Sequence, residues 1–97
     1  MIFYKDSYFE WDDNKNDENI RKHGVSFEEA MTVFDDDNAL YKPDTDHSQD
    51  EDRFTILGFS ISPRLLVVCH CYRESATVIR IISARKATKS ESEQYGG

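Results

Sequence analysis

Residues 77–88, Thr-Val-Ile-Arg-Ile-Ile-Ser-Ala-Arg-Lys-Ala-Thr, decide how the rest of this chain must be arranged. The apolar residues on either side of Arg80 predict a buried strand over Thr77–Ser83. A permanent cation is rarely placed so close to apolar surroundings unless an anion receives it. Because the planar guanidinium group matches phosphate oxygens, the stretch with Arg80, Arg85 and Lys86 favours a phosphate-handling surface.

Two apolar runs precede this strand along the chain. They predict strands over Phe54–Ser60 and Leu65–Tyr72, and turn residues at 74–76 lead into the strand that carries Arg80. Short loops between apolar runs favour antiparallel hairpins, so we expect the three strands to form a meander. A further strand, at Ala39–Lys42, is predicted at the edge of the sheet because Pro43 closes it.

A polar helix is predicted over Asn14–His23, after a short first strand at Tyr8–Trp11. Asp12 or Asp13 offers its N-cap, and Gly24 ends it. The helix carries few apolar residues, so its inner face must use polar side chains. The candidates for that inner face are Asn16, Asn19 and His23.

Two more helices are marked by their N-terminal residues. Ser26 with Glu29, and Thr88 with Glu91, have the spacing of capping boxes. The first of these helices repeats apolar residues at the helical period, and the second includes Tyr95. The repeating residues are Phe27, Ala30, Met31 and Phe34. Together these elements predict a small α+β domain with its helices on one face of an antiparallel sheet.

The length and composition predict one folded domain spanning residues 1–97. The chain has 97 residues, of which 38% are apolar, enough for a single modest core. No apolar run approaches the roughly 20 residues that span a bilayer. The first residues, Met1–Ser7, lack the apolar segment of a signal peptide, so we expect a cytoplasmic protein.

The charge is distributed unevenly along the chain. The formal net charge is −7, which argues against a simple nucleic-acid binder. Residues 1–63 carry 6 Lys/Arg against 16 Asp/Glu, whereas residues 64–97 carry 6 against 3. A basic patch near the carboxyl end can therefore hold a polyanion locally, although the acidic body steers one poorly over long distances.

No metal or cofactor site is predicted. The acidic segment Asp44–Asp52 alternates as a calcium loop does, but Gln49 and Thr55 stand where that loop needs glycine and a bidentate glutamate. We therefore interpret the segment as a solvated loop. Cys69 and Cys71 lack a second cysteine pair for zinc and are interpreted as reduced packing residues. The histidines, each interpreted as structural, are His23, His47 and His70.

The basic residues of the last third can form one cluster. Its members are Arg64, Arg73, Arg80, Arg85 and Lys86. Such a cluster can grip a scissile phosphate and stabilise the charge of its transition state, with Lys86 and Arg64 as phosphate-binding residues. When the internal 2′-hydroxyl of RNA is the nucleophile, cleavage needs no metal, and Glu74 is the candidate base. Alternatively, the arginines pair with the chain's many carboxylates or dock an acidic partner.

Four segments, in order along the chain, carry a family pattern. They are Phe9-Glu10-Trp11-Asp12, Asn19–Ala30, Pro43–Ser48 with Glu51–Phe54, and Ile79–Thr88. On these segments the chain resembles the BrnT family, also called DUF497, whose members are toxins of type II toxin–antitoxin systems. The resemblance implies a fold similar to the RelE-like ribonucleases. It also implies RNA cleavage without a metal, which arrests growth.

The same resemblance implies a partner and a set of site residues. The partner is a BrnA-type ribbon-helix-helix antitoxin that blocks the site and represses the shared operon, so operator DNA is contacted only through the antitoxin complex. Arg80 and Arg85 fall on the family's motif and carry over as catalytic or phosphate-binding residues. Arg73 and Glu74 lie at a strand end where such folds keep active residues. The alternatives are a non-catalytic protein-binding module and a degenerate, inactive toxin.

Overall fold

The computed structural model describes residues 1–47 and 51–96, with His47 described by its backbone. Within this part, the chain forms a six-stranded sheet and three α-helices. The strands are β1 Ile2–Tyr4, β2 Ser7–Glu10, β3 Leu40–Pro43, β4 Phe54–Phe59, β5 Leu65–Arg73 and β6 Val78–Lys86. The helices are α1 Asp13–His23, α2 Phe27–Thr32 and α3 Lys89–Tyr95, with 3-10 turns at Val33–Asp35 and Thr45–His47. No helix among the described residues is both long and apolar enough to cross a membrane.

The sheet has the strand order β1-β2-β6-β5-β4-β3. The predicted α+β class and the antiparallel meander β4-β5-β6 are confirmed. β2 pairs with β6 in parallel, which places the strand quoted first in the interior of the sheet. β1 was not predicted, and β6 continues to Lys86, three residues beyond the predicted end at Ser83. The prediction for the acidic loop falls partly on residues 48–50, which lie outside the described part.

The main core lies between the sheet and helices α1 and α2. Phe9 of β2, Leu66 of β5 and Ile81 of β6 are fully buried there, together with Phe27 of α2. The apolar period predicted for α2 is confirmed for Phe27, Ala30 and Met31, which are buried. Phe34 lies in the 3-10 turn after the helix and is partly buried against the core. Full burial of such side chains stabilises the fold by about 1.5–3 kcal/mol each.

Helix α1 is held by buried asparagines instead of an apolar stripe. The Asn19 side-chain amide donates to the carbonyl oxygens of Ala84 and Val25, both at 2.8 Å, and accepts from the Ala84 N–H at 3.1 Å. Asn16 accepts from the Phe27 N–H at 2.8 Å. The prediction of a polar inner face is therefore confirmed for Asn16 and Asn19, but it is wrong for His23, which is exposed.

The two predicted capping boxes have different outcomes. Thr88 and Glu91 form the complete box at the start of α3, as predicted. At α2, the Ser26 hydroxyl accepts from the Glu29 N–H at 3.0 Å, but the return bond is absent because the Glu29 carboxylate binds Arg64 and Ser60. The second half of that predicted box is therefore wrong. Arg64, which is distant in sequence, binds the Glu29 carboxylate instead.

A β-bulge in β6 sets the direction of every side chain after it. Cys69 pairs with Ser83, but the next residue of β5, His70, pairs with Ile81, so Ile82 is an extra residue. Successive side chains of a regular strand alternate between faces. The extra residue reverses that alternation, so Arg80 and Arg85, five positions apart, point to the same face. An unbulged strand would have separated them.

The Asn19→Leu substitution is expected to lower the free energy of unfolding by at least about 3 kcal/mol. It leaves two carbonyl oxygens and one N–H of the buried backbone without partners, and each such group costs about 1–3 kcal/mol. Urea denaturation measures the change. Asn14→Leu, on the exposed side of the same helix, is the matched control. Equal stability of the two variants would show that the Asn19 amide does not hold α1 to β6.

Candidate functional site

The strand pairing divides the predicted cations between the two faces of the sheet. Arg80 lies opposite Cys71 and Arg85 lies opposite Val67, so both share the face of the odd-numbered residues of β5. Arg73 belongs to that face as well. We call it the open face, because α1 and α2 cover the other one. The structure thus brings three of the predicted residues to one surface.

Two of these arginines hold carboxylates of the same chain. Arg80 Nη1 lies 2.9 Å from Glu10 Oε2, and Arg73 Nη2 lies 3.1 Å from Glu51 Oε2. The side chains in both pairs remain about a third to a half exposed. Partly exposed ion pairs contribute only about 0–1 kcal/mol each. An incoming phosphate can therefore replace the carboxylates at small cost to the fold.

Arg85 is held more firmly, by Glu91 of α3. Its two terminal nitrogens lie 2.8 and 2.9 Å from the two oxygens of Glu91, a bidentate arrangement. The same carboxylate accepts the Thr88 N–H at 2.8 Å. The hydrogen bonds from Arg85 lower the pKa of Glu91 to about 2. Glu91 therefore occupies the guanidinium fork as a phosphate would.

A groove of about 360 Å³ opens beside Arg85 on this face. Strand pairing lays Thr55, Cys69 and Ser83 across its floor in one row. The charged residues around it are Lys42, Asp44, Asp46, Arg53 and Arg85. We call it the open-face groove. Its three cations and two carboxylates combine the charges that phosphate binding and proton transfer require.

The thiol at the floor of this groove is not a nucleophile. Cys69 Sγ lies 3.7 Å from Asp44 Oδ2. Burial, with the negative charge of Asp44 beside it, raises the pKa of Cys69 to about 11. The thiol therefore stays protonated near neutral pH, whereas reactivity needs the thiolate. Cys69 and Cys71 are both free cysteines.

The predicted base lies in a strained turn between β5 and β6. Glu74, Ser75 and Ala76 all have positive φ, at 52°, 56° and 71°. Residues with a Cβ rarely adopt this conformation, and strain of this kind gathers at functional sites. The Glu74 carbonyl accepts from both the N–H and the hydroxyl of Thr77. The Glu74 side chain itself is exposed.

Arg64 and Lys86 do not join the arginines of the open face. Arg64 Nε lies 2.9 Å from Glu29 Oε2, and its Nη2 donates to the Gly24 carbonyl at 2.9 Å. This contact lowers the pKa of Glu29 and ties the β4–β5 loop to α2. Lys86 follows Arg85, so strand alternation turns it toward the helices, where its charge also acts on Glu29. The single cluster of all five cations is therefore not present.

The two histidines whose side chains are described, His23 and His70, form no ligand set. His70 is fully buried on the face opposite the two cysteines, and His23 is exposed at the end of α1. The side chain of His47 lies outside the described part of the chain. Among the described residues, no group of three His, Cys, Asp or Glu residues is arranged to hold a metal ion.

Apart from Arg85, the charged residues of the open-face groove were missed by the sequence interpretation. Lys42 was read as part of an edge strand, and Asp44, Asp46 and Arg53 as part of a solvated loop or its border. Register was the missing information, because the pairing of Lys42 with Thr55 aligns β3 with the groove floor. The available signal was the family pattern, which covers Asp44, Asp46 and Arg53.

The sequence and the fold place this chain in a class of ribonuclease toxins. Residues 11–91 match the family described as the ribonuclease toxin BrnT of type II toxin–antitoxin systems. The chain therefore belongs to the BrnT family. The crystal structure of the Brucella abortus ribonuclease toxin BrnT is similar in fold, with a TM-score of 0.65 and 22% sequence identity, covering 86% of this chain and 99% of that one. A search of curated proteins found no match.

Arg64→Ala is expected to lower the free energy of unfolding by about 1–3 kcal/mol, because it leaves the Glu29 carboxylate, only 12% exposed, without its main partner. Urea denaturation measures this, with the exposed Arg21→Ala of α1 as the control. RNA cleavage per folded molecule should stay at the wild-type rate. Lost cleavage with unchanged stability would instead support the phosphate-binding role predicted for Arg64.

The contribution of Glu91 to stability is expected to depend on pH. Its pKa is lower in the folded chain, about 2 against a usual value near 4.5, so the carboxylate stabilises the fold above pH 4.5. That stabilisation is lost as the pH falls from 4.5 toward 2. The stability difference between wild type and Glu91→Gln should therefore be largest near neutral pH and shrink across that range. Glu93→Gln, exposed on the same helix, should show no such trend.

Proposed function

We propose that this chain is an endoribonuclease toxin that cuts RNA without a metal ion, with the open face as its active surface. The observation that carries the proposal is the common direction of Arg73, Arg80 and Arg85, which the β6 bulge produces. Membership of the ribonuclease toxin family supplies the substrate class. The open-face groove beside Arg85 gives the scissile phosphate a place to bind.

The proposed reaction uses the RNA's own nucleophile. The 2′-oxygen attacks the adjacent phosphorus, a base accepts the 2′-hydroxyl proton, and the bond from phosphorus to the 5′-oxygen breaks. The leaving 5′-oxygen takes up a proton, and the products are a 2′,3′-cyclic phosphate and a 5′-hydroxyl. Arg80 and Arg85 stabilise the charge that grows on the phosphoryl oxygens, and Arg73 assists them. Glu74 is the proposed base.

The internal carboxylates set the condition for this activity. Glu10, Glu51 and Glu91 each hold one of the three arginines, so RNA must displace them. Because Glu91 binds Arg85 with both oxygens, it is the strongest of these competitors. The three arginines therefore stay paired with carboxylates of the same chain until a polyanion replaces those carboxylates.

Type II membership implies an antitoxin. We propose that this antitoxin is a BrnA-type ribbon-helix-helix protein that covers the open face and represses the shared operon. Expression of the chain alone should arrest growth, and co-expression with the neighbouring ribbon-helix-helix gene should relieve the arrest.

One observation favours a second function. Every arginine of the open face already has a carboxylate partner in the same chain, as expected of a docking module that performs no chemistry. Absence of growth arrest, together with absence of cleavage by the purified chain, would select this alternative.

Purified chain, free of antitoxin, is expected to cleave RNA in EDTA and to leave 2′,3′-cyclic or 3′-phosphate ends. Arg80→Ala and Arg85→Ala should each slow cleavage about a hundredfold or more, as the loss of one transition-state contact does. Arg21→Ala is the control for the loss of a surface cation. Unchanged cleavage in both open-face variants would refute the assigned site, and loss of cleavage in EDTA would refute the metal-independent mechanism.

A further inference from the structure

A cleft of about 170 Å³ lies between α1 and the edge of β6. Lys15, Lys22 and His23 line it on the side of α1, and Ile82 and Ser83, at the bulge, line it on the side of β6. The pairing of β2 with β6 ends before the bulge, so α1 takes the place of a strand at this edge. We call this opening the lysine cleft.

The docking of α1 sets the direction of the two lysines. Lys15, Asn19 and Lys22 are four and three positions apart, so they share one side of the helix. Asn19 binds the backbone of Ala84, which turns that side toward β6. The contact that holds the helix to the sheet therefore also brings both lysines to the cleft.

The cations of the cleft are not held by carboxylates. Among the described residues, no ion pair within 4 Å involves Lys15, Lys22 or His23. Both lysines are exposed, and the described lining includes one carboxylate, that of Glu18. The arginines of the open face, by contrast, are each paired with a glutamate. An anion can therefore bind in the lysine cleft without first displacing a carboxylate.

Stabilisation of the helix explains only part of this arrangement. Lys22 and His23 belong to the last turn of α1, where positive charge suits the helix dipole. Lys15 lies in the first turn, where a cation opposes the dipole and an acidic residue is favoured. The dipole therefore gives no reason for Lys15, whereas an anion bound in the cleft does.

The lysine cleft adjoins the open-face groove. Ile82 and Ser83 line both openings. Ser83 is exposed, and it precedes Arg85 by two positions on the same face of β6, a separation of about 6.6–6.8 Å along a strand. A polymer with an anionic group in every unit can therefore contact Arg85 and continue across the bulge to the lysines.

We propose that the lysine cleft binds a phosphate of the RNA substrate beyond the one that is cleaved. This inference rests on the proposed function, which places the scissile phosphate beside Arg85. The ammonium groups of Lys15 and Lys22 donate to the phosphate oxygens. Contacts of this kind fix the position of the chain and carry no sequence information. The cleft thus favours RNA that extends past the cleaved bond, whatever its sequence.

Binding is tested with a short single-stranded RNA whose 2′-hydroxyls are replaced by fluorine, so that it is not cleaved. Lys15→Gln and Lys22→Gln should each weaken binding about tenfold, as the loss of one charge-assisted hydrogen bond does. The slope of log affinity against log salt should become shallower by about 0.7 for each lysine removed. Arg21→Gln removes the same charge from the last turn of α1, outside the cleft, and should leave affinity and slope nearly unchanged.

Cleavage kinetics distinguish a binding cleft from a general defect. With a longer RNA, the Lys15 and Lys22 variants should show a raised KM and an unchanged kcat, because the lost contact is made equally in the ground state and the transition state. The dinucleotide that spans the cleaved bond is too short to reach the cleft. Both variants should therefore cleave it at the wild-type rate.

The outcomes separate this inference from the proposed function. Wild-type affinity and salt slope in both folded lysine variants, or equal losses with the dinucleotide and the longer RNA, overturn the lysine cleft and leave the cleavage proposal standing. Lysine-dependent binding together with unchanged cleavage in the Arg80 and Arg85 variants supports the cleft and overturns the assigned active site. If the lysine variants lose affinity for the antitoxin and keep it for RNA, the cleft binds protein and the inference is wrong. No RNA binding by the wild type refutes both.

Discussion

The hydrogen bonds between the Asn19 side chain and the Ala84 backbone are the contact on which the rest of the structure depends. β2 pairs with β6 only up to Arg80, so the rest of that edge of β6 lacks a strand neighbour. The Asn19 amide donates to the carbonyl and accepts from the N–H of the same residue, which is what a neighbouring strand would do. A helix thereby completes the sheet. This explains why α1 needs asparagine, and not leucine, on its inner face.

The same region contains the bulge that creates the open face. Ile82 is the extra residue, and Asn19 binds β6 two positions later. The bulge turns Ala84, a small residue, toward α1 and turns Arg85 away from it. One irregularity therefore provides both the docking point of the helix and the common direction of Arg80 and Arg85. Fold and candidate site share this cause.

Ion pairs within the chain offset the positive charge of the open face. The open face of this acidic chain presents arginines whose charges are balanced by Glu10, Glu51 and Glu91. In the proposed function, such balance limits long-range attraction of RNA, and RNA binding exchanges carboxylates for phosphates.

Local sequence patterns predicted most of the fold, because strands and helix ends depend largely on residues close together in the chain. Apolar runs identified β4, β5 and β6, and capping residues identified all three helices within a residue or two of their starts. The N-terminal strand β1 was not predicted, because Ile2–Tyr4 is too short to show an alternation of apolar and polar residues. Membership of the BrnT family also followed from short segments in order. Arg80 and Arg85 were predicted as members of one cluster, but their spacing would place them on opposite faces of a regular strand, and it is the bulge that brings them to one face.

The amino-acid order by itself determined which segments form strands and helices, where the helices begin, and which family the chain belongs to. Only the tertiary structure decided which side chains of the chain contact one another. A carboxylate assigned to a capping box binds Arg64 because the β4–β5 loop folds over α2. Lys42 and Arg53 line the same groove as Arg85 because strand register sets the alignment across the sheet. Such contacts join residues far apart in sequence, and only the packed chain brings them within reach of each other.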